Sequence, residues 1–343
     1  MRQRSARKTT TATTAAPGIM RAVEQERFGG PDVLHLGEVP VPDIAAEEVL
    51  VQVHAAGVDR GVWHTMTGLP YLGRLAFGLR RPRNRVPGMD LAGVVVAVGA
   101  EVTRFAVGDA VFGAGRSTFA EYAAAGERSL AHKPENLSFT QAAAVPVSAV
   151  TALKAVCDAG RVTEGSRVLV LGASGGVGSY AVQLAKAAGA HVTAVCSGAK
   201  TDYVLSLGAD RAVDYATTNA TGGREVYDVV LDIGGNPPVA ALRRSLTAGG
   251  TAVIVGGEGG GRFAGGLHRQ LLALAVSPFV PQKLTTLLAL VRADSLERLL
   301  PLLDAGAIVP SIDRTFPLEE AARALDLLAS GKVRGKVVLT VHP

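Results

Sequence analysis

The stretch VLVLGASGGVGSYAVQLAKAAGAHVTAVCSGAK, residues 168–200, constrains the fold more than any other part of the chain. It reads as an apolar strand, a glycine-dense turn, a helix and a second strand. A strand followed by a helix and another apolar strand builds a parallel pair, because the helix carries the chain back to the same end of the sheet. The alternation continues downstream: helix AKTDYVLSLGA, strand RAVDY, strand YDVVLDIGG, helix PPVAALRRSLTAGG and strand TAVIVGG. Near-continuous apolar strands imply a parallel sheet covered on both faces. From about residue 166 the pattern predicts a doubly wound α/β domain.

The first part of the chain follows another period. EVLVQVHAAGV (48–58) alternates like a half-buried strand, and GVVVAVGAEV (93–102) and DAVFGAG (109–115) are strand-like segments punctuated by Gly. Met20 to about Ala125 therefore predicts a small β-rich barrel or folded sheet. A helical stretch, 138–160, follows, with Ser138 as N-cap and a break at Pro146. The last segment predicts an amphipathic helix (DSLERLLPLLDAG), a β-like IVPSIDRTF, a helix (PLEEAARALDLLAS) and a closing strand, KVVLTV, that rejoins the first domain.

Length and hydrophobic content, 343 residues and 48%, suffice for two cores. The formal charge of +5 is concentrated at the start: residues 1–18 carry Arg2, Arg4, Arg7 and Lys8 and no acid, and without those four the remainder stands at +1. A transit peptide and a nucleic-acid arm are two readings of that segment. The favoured expectation is a disordered extension, 1–19, upstream of the fold. A nearly neutral body lacks the basic stripe that nucleic-acid binding needs. The two cysteines, Cys157 and Cys196, lie in apolar stretches and make neither a disulfide framework nor a Cys-rich zinc site, so a reducing cytoplasm is expected. The longest apolar region, 271–303, is interrupted by prolines and charges and cannot supply a membrane span of about 20 residues.

Ala173-Ser174-Gly175-Gly176-Val177-Gly178 fits the dinucleotide fingerprint with Ala in its first place, between a strand and a helix. Gly175 lets the backbone approach a pyrophosphate, whose charge the helix N-terminus attracts, while Gly178 permits tight packing of helix on sheet. A turn whose glycines serve packing alone is the bland alternative. NAD-binding chains place an acid about 20 residues on. Here that neighbourhood holds Ser197, Gly198, Ala199 and Lys200. A hydroxyl and an ammonium attract a 2′-phosphate that a carboxylate would repel, so the predicted cofactor is NADPH; for Lys200 alone, an ordinary solvated lysine at a helix start is the alternative.

Five segments in order, MRAVEQERFGGPDVL, VPGMDLAGVVVAVGAEVTRFAVGDAVFG, AAAVPVSAVTALKAV, GASGGVGSYAVQLAKAAGA and FPLEEAARALDLLASGKVRGKVVLTV, resemble the medium-chain dehydrogenase/reductase superfamily, in its zinc-free quinone oxidoreductase branch. The resemblance covers 20–343. It implies a GroES-like catalytic domain from 20–145 and 293–343, with a Rossmann domain, 146–292, inserted between. It also implies that Ser174, Gly175, Gly176 and Val177 line the pyrophosphate. Ser197, Lys200 and Tyr215 would lie by the adenosine ribose phosphate. Thr151 would face the nicotinamide, with Val255, Gly256 and Gly257 beside its ribose. For Tyr215 a plain surface position, and for Thr151 a hydroxyl bonded to its own helix, remain alternatives.

The chain departs from the zinc alcohol dehydrogenases of this superfamily. Their GHE is here Gly88-Met89-Asp90, their loop cysteine is missing from HAAGVDRG, and their four-Cys lobe has no counterpart. No zinc is expected. Without a Lewis acid, reduction of a quinone or a conjugated alkene is easier than oxidation of an alcohol. The candidates for chemistry lie in GVDRGVWHTMTGLPYLGR (57–74). His64 replaces the branch's tyrosine and is either a candidate proton donor or a histidine hydrogen-bonded structurally under the loop. Asp59 would orient it, bind the nicotinamide ribose or cap the loop. Tyr71 and Trp63 would line an apolar pocket. Arg80, Arg81, Arg83 and Arg85 suit a phosphorylated or CoA-linked substrate, or simply a solvated loop. The apolar strand KLTTLLALV (283–291) is expected to extend a sheet across a homodimer. A tailoring enoyl reductase and a non-catalytic NADPH sensor or RNA-binding protein are the competing functions.

Overall fold

The computed structural model describes residues 18–223, 226–257 and 260–342; residues 1–17 of the basic extension lie outside them. The chain begins with an antiparallel pair, β1 (Ile19–Glu24) and β2 (His35–Pro40). The long strand β3 (Glu48–Val58) follows, then helices α1 (Arg60–Thr67) and α2 (Arg74–Phe77). Strands β4 (Asp90–Val98), β5 (Ala110–Ala114), β6 (Tyr122–Gly126) and β7 (Leu130–His132) complete the first β-rich half. Helix α3 (Phe139–Ala143) starts at a reciprocal capping box between Ser138 and Gln141, as the Ser138 expectation required. Pro146 then opens α4 (Pro146–Leu153) at its first position, where a missing N–H costs nothing.

The second half runs β8 (Arg167–Leu171), α5 (Gly176–Ala187), β9 (His191–Cys196), α6 (Thr201–Ser206), β10 (Arg211–Asp214), β11 (Tyr227–Asp232), α7 (Val239–Arg244), β12 (Leu246–Ile254), α8 (Leu267–Val276) and β13 (Lys283–Thr286). Its six strands are all parallel, in the order β10-β9-β8-β11-β12-β13. The order reverses between β8 and β11, which opens a crevice at the carboxyl ends of the strands. This is a Rossmann-type sheet with helices on its faces.

The chain then returns through α9 (Ala293–Asp304), β14 (Ile312–Pro317), α10 (Ala321–Ala329) and β15 (Lys336–Thr340). β15 pairs antiparallel with β3, Val337 opposite Val58, and brings the C-terminus into the first sheet, whose order is β14-β15-β3-β4-β5-β7 with β6 on β3. This half is the GroES-like body. Leu296, Leu299 and Leu303 of α9 join the same buried cluster as residues of α4 and α5, so the returning helix seals the seam between the halves.

One expected element is shorter than the sequence suggested. The strand at 283–291 ends at Thr286, and β13 has β12 as its one sheet partner. Beyond it Leu288 and Leu290 stand 89% and 59% exposed. Apolar character reads the same whether a strand is paired or waiting for a partner, so the pattern overran.

Candidate functional site

The glycine turn begins where β8 ends. Gly172 takes φ +80°, a conformation open to a residue without Cβ. A Cβ on Gly178 would stand 2.1 Å from the Gly172 carbonyl oxygen, so α5 can lie this close to the turn only with glycine there. A Cβ on Gly175 would meet nothing nearer than 3.6 Å. Gly175 is the N-cap of α5, and no side chain caps the helix. The first amides of this twelve-residue helix therefore remain available to an anion, reinforced by the helix dipole. Ser174 lines the crevice, and its carbonyl accepts from the Gly335 N–H at 2.9 Å. Gly176 lies over Ser148 and Lys336, and Val177 packs half-buried behind the turn.

From this turn a groove of about 440 Å³ runs along the strand ends, lined by Leu171, Gly172 and Ser174 of the turn, Ser197, Lys200 and Tyr215 at one end, and Gly234 to Pro237 opposite. The three adenosine-side candidates are thus brought together. Tyr215 is 66% exposed and offers a ring face at the rim. The Lys200 ammonium donates to the carbonyls of Gly331 (2.7 Å) and Val333 (2.8 Å), which leaves one of its three protons uncommitted. Burial pushes its pKa down, partly offset by the nearby Asp313.

Two charged groups here were not foreseen. Arg334 reaches across from the C-terminal segment to donate to the Ala199 carbonyl at 2.9 Å. Asp214, at the end of β10, lies under Gly198, with its Oδ1 accepting from the Ala216 N–H. Both come from outside the 197–200 window, and nothing in local spacing announces them.

At the other end of the crevice, Val255, Gly256 and Gly257 leave β12, and Gly257 sits so close to Gly266 that a Cβ would stand 2.6 Å from its Cα. Thr151 on α4 donates its hydroxyl to Val147 O at 2.6 Å, the alternative weighed for it. Its oxygen can still accept. Arg269 of α8, which the sequence did not single out, is buried against Asp232 and donates also to the carbonyls of Pro237, Gly235 and Gly256. It ties together the loops after β11 and β12. Burial raises the Asp232 pKa, opposed by the Arg269 charge.

The α1 segment forms the facing wall. Asp59 caps α1, accepting from Val62 N at 3.1 Å, and its Oδ2 is buried with no partner. The His64 Nδ1 bonds the Leu69 carbonyl at 2.8 Å. Leu69, not Asp59, therefore orients His64, and Asp59 takes the capping role. Because a carbonyl only accepts, Nδ1 carries the proton and Nε2 is the free nitrogen. Tyr71 is 39% exposed and lies between the guanidinium groups of Arg74 and Arg262. Its N–H bonds Arg262 O, and Leu72 N bonds Phe263 O, so the 70–72 loop meets the segment that follows Gly257. Trp63 packs half-buried on the β-domain core.

Beneath these walls sits a buried ion pair. Lys336 of β15 and Asp90 of β4 meet at 3.0 Å with side chains 1% and 0% exposed. Asp90 Oδ1 also accepts from Val147 N at the start of α4. Burial pushes Asp90 up to about 6, with Lys336 pulling the other way and Asp59 adding to the rise. The pair joins the closing strand, the first domain and the helix that carries Thr151. Its members lie 246 residues apart, so sequence spacing gives no hint of it.

A catalytic zinc needs about three N, S or O ligands on one tetrahedron. Among the described residues no group of three or more His, Cys, Asp or Glu is placed to hold a metal, and the Met89 terminal methyl packs toward Gly61. The donor set does not fit zinc. The groove, by contrast, fits a dinucleotide: an uncapped helix terminus, the Lys200 ammonium at one end and the glycine-containing loop 234–237 opposite.

Comparison with known proteins agrees with this geometry. A model described as "Alcohol dehydrogenase GroES-like domain" matches residues 45–155, and one described as "Zinc-binding dehydrogenase" matches 207–339. A chloroplast envelope quinone oxidoreductase homolog of Arabidopsis thaliana is 32% identical, covering 94% of this chain and 98% of that protein. An NADPH-dependent alkenal/one oxidoreductase from the same plant is 33% identical over 99% of this chain and 84% of that protein. The solved quinone oxidoreductase of Coxiella burnetii superposes with a TM-score of 0.83 at 29% identity, covering 94% of this chain and all of that one. Fold and site thus define an oxidoreductase of quinone or enone type that uses a nicotinamide cofactor. The chain belongs to the medium-chain dehydrogenase/reductase superfamily, in its quinone oxidoreductase-like branch.

Proposed function

We propose that this protein is an NADPH-dependent, zinc-independent reductase of quinones or α,β-unsaturated carbonyl compounds. The observation that carries the proposal is the groove end where Ser197, Lys200 and Arg334 gather with one Lys200 proton still uncommitted, suited to a 2′-phosphate. Asp214 lies beneath Gly198 and engages a backbone N–H. Ser174 to Val177 would hold the pyrophosphate, and Thr151 with Val255 to Gly257 would bound the nicotinamide. Bound NADPH supplies a hydride. The protein's part is to hold an electron-poor carbon against the cofactor, exclude water beneath the loop at 70–72, and deliver a proton.

His64 is suited to that delivery. Leu69 holds the Nδ1 proton, so Nε2 donates only from the imidazolium, and afterwards the ring is left in the tautomer that Leu69 already favours. Asp59 supports α1 from its N-terminus, and Tyr71 shapes the pocket.

The test is NADPH absorbance against a panel of quinones and enones. Oxidation with one or more of them is expected, slowed at least tenfold in His64→Ala for enones. Tight NADPH binding without turnover on any substrate would favour a sensor. Unchanged turnover in His64→Ala would remove its donor role. The exposed edge of β13 with Leu288 and Leu290 suits a homodimer that continues the sheet, which sedimentation would test. Two unpaired thiols, Cys157 and Cys196, suit a reducing cytoplasm. Among the described residues no helix is long and apolar enough to cross a membrane.

A further inference from the structure

A second cavity, of about 160 Å³, borders α1 at Thr65, the residue after His64, and the chemistry of its walls differs from that of the dinucleotide groove. Thr65 of α1, Gln25, Asn84, Arg83 and Met89 line it, and no residue lining it also lines the groove. Gln25 is 1% exposed. Its backbone N–H bonds Arg85 O at 2.8 Å, and its side-chain Oε1 is buried without a partner among the described residues. A buried amide oxygen left unpaired costs about 1–3 kcal/mol, so it suits a ligand that brings an N–H or O–H.

The segment that supplies most of the cavity's walls is basic, while Glu24 and Glu26 flank Gln25 on the other side. Residues 60–89 contain six arginines and no acid, in a body whose net charge is only +1. Arg80, Arg81, Arg83 and Arg85 are all exposed, and none is paired with a carboxylate among the described residues. The backbone at this place is fixed: Arg83 N bonds Phe77 O at 2.7 Å, and Gly78 takes φ +118°. Arg83 lines the cavity itself, and a braced loop that carries four guanidinium groups suits a phosphate. A neutral quinone gains nothing from them.

We infer that the physiological substrate is an α,β-unsaturated acyl thioester on a phosphopantetheine arm. Its phosphate meets Arg80, Arg81, Arg83 and Arg85, and an amide N–H of the arm meets Gln25 Oε1. This rests on the reductase function proposed above and names its substrate class. The step balances: hydride adds to the β-carbon, a proton adds to the α-carbon, the C=C bond becomes single, and NADPH becomes NADP⁺. Coenzyme A and a carrier protein both present such an arm.

The test compares three crotonyl thioesters under saturating NADPH: the N-acetylcysteamine thioester, which has no phosphate, the pantetheine 4′-phosphate thioester and the CoA thioester. KM for the phosphorylated pair is expected to lie at least tenfold below that of the first. The gap should narrow several-fold in 0.5 M salt, because exposed charges are screened. The double variant Arg80→Gln, Arg83→Gln should raise the two phosphorylated KM values about tenfold while N-acetylcysteamine thioester turnover stays unchanged. Equal KM for the two phosphorylated substrates supports recognition of the arm's own phosphate, as on a carrier protein. A further tenfold gain with CoA supports free CoA. Three equal KM values would overturn the inference. Reduction of quinones with none of the thioesters would overturn it and leave the reductase proposal standing. Failure of thioesters, quinones and enones alike would overturn both.

Discussion

Replacing Lys336 by methionine removes the ammonium 3.0 Å from Asp90 and leaves a carboxylate that is 0% exposed with the Val147 N–H as its remaining hydrogen-bond donor. Breaking a buried ion pair by deleting one partner costs about 3–5 kcal/mol, because the surviving charge can neither reach water nor find a counter-charge. We expect a loss of that size at pH 7.5. The double variant Asp90→Leu, Lys336→Met should recover most of it, since two apolar groups of similar volume leave no charge to compensate. The loss in Lys336→Met should shrink as pH falls towards about 6 and level off below it, because without the ammonium that holds it down Asp90 takes up its proton at a higher pH than in the wild type. Trp63 is the chain's single tryptophan and packs half-buried on the core of the domain that holds the pair, so its fluorescence during urea unfolding reports the right transition. A loss below about 1 kcal/mol at pH 7.5, unchanged at pH 5 and additive in the double variant, would refute the reasoning.

Gly175→Ala and Gly178→Ala should part company. The first places a Cβ 3.6 Å from its nearest neighbour, so the protein should melt as wild type yet bind dinucleotide at least tenfold more weakly; the second drives a Cβ to 2.1 Å from a backbone oxygen and should lower the melting temperature measurably. Asp228, bonded to Arg167 N and paired with the Arg167 side chain, is held below the usual carboxylate range. Its stabilisation is present above the unfolded pKa and lost as pH falls through the lower folded value, so Asp228→Asn, at a partly exposed and screened site, should cost about 1 kcal/mol or less at pH 7 and progressively less as the medium is acidified, in denaturant titrations.

The parallel sheet was legible because its signals are local: apolar strands, a glycine turn and helices, each within about ten residues of the next. Ser138 was readable as a cap from a capping pattern, and KVVLTV as a returning strand from the apolar run that closes the chain. Ser197 and Lys200 were readable from the missing acid after the glycine turn and from the resemblance to a known family, and Tyr215 from that resemblance alone. What escaped were the long-range pairings. Asp90 with Lys336, Arg269 with Asp232, and Arg334 beside Ala199 each join segments that become neighbours only when the sheets assemble. His64 was visible as a titratable group, but the carbonyl that fixes its tautomer was not, because a Leu69 backbone oxygen carries no sequence signature. The strand at 283–291 overran for the opposite reason: its composition promised pairing that β13 completes on one side for only four residues.

Equilibrium titration of the wild-type protein with NADPH and NADH, followed by nicotinamide fluorescence, tests the central claim most directly. Lys200 and Arg334 at the groove's adenosine end predict binding of NADPH at least tenfold tighter than NADH, with the difference reduced to about threefold or less in Lys200→Ala, a charge-assisted phosphate contact being worth about 1.5–3 kcal/mol. Equal affinity for the two, or a preference for NADH, would contradict it.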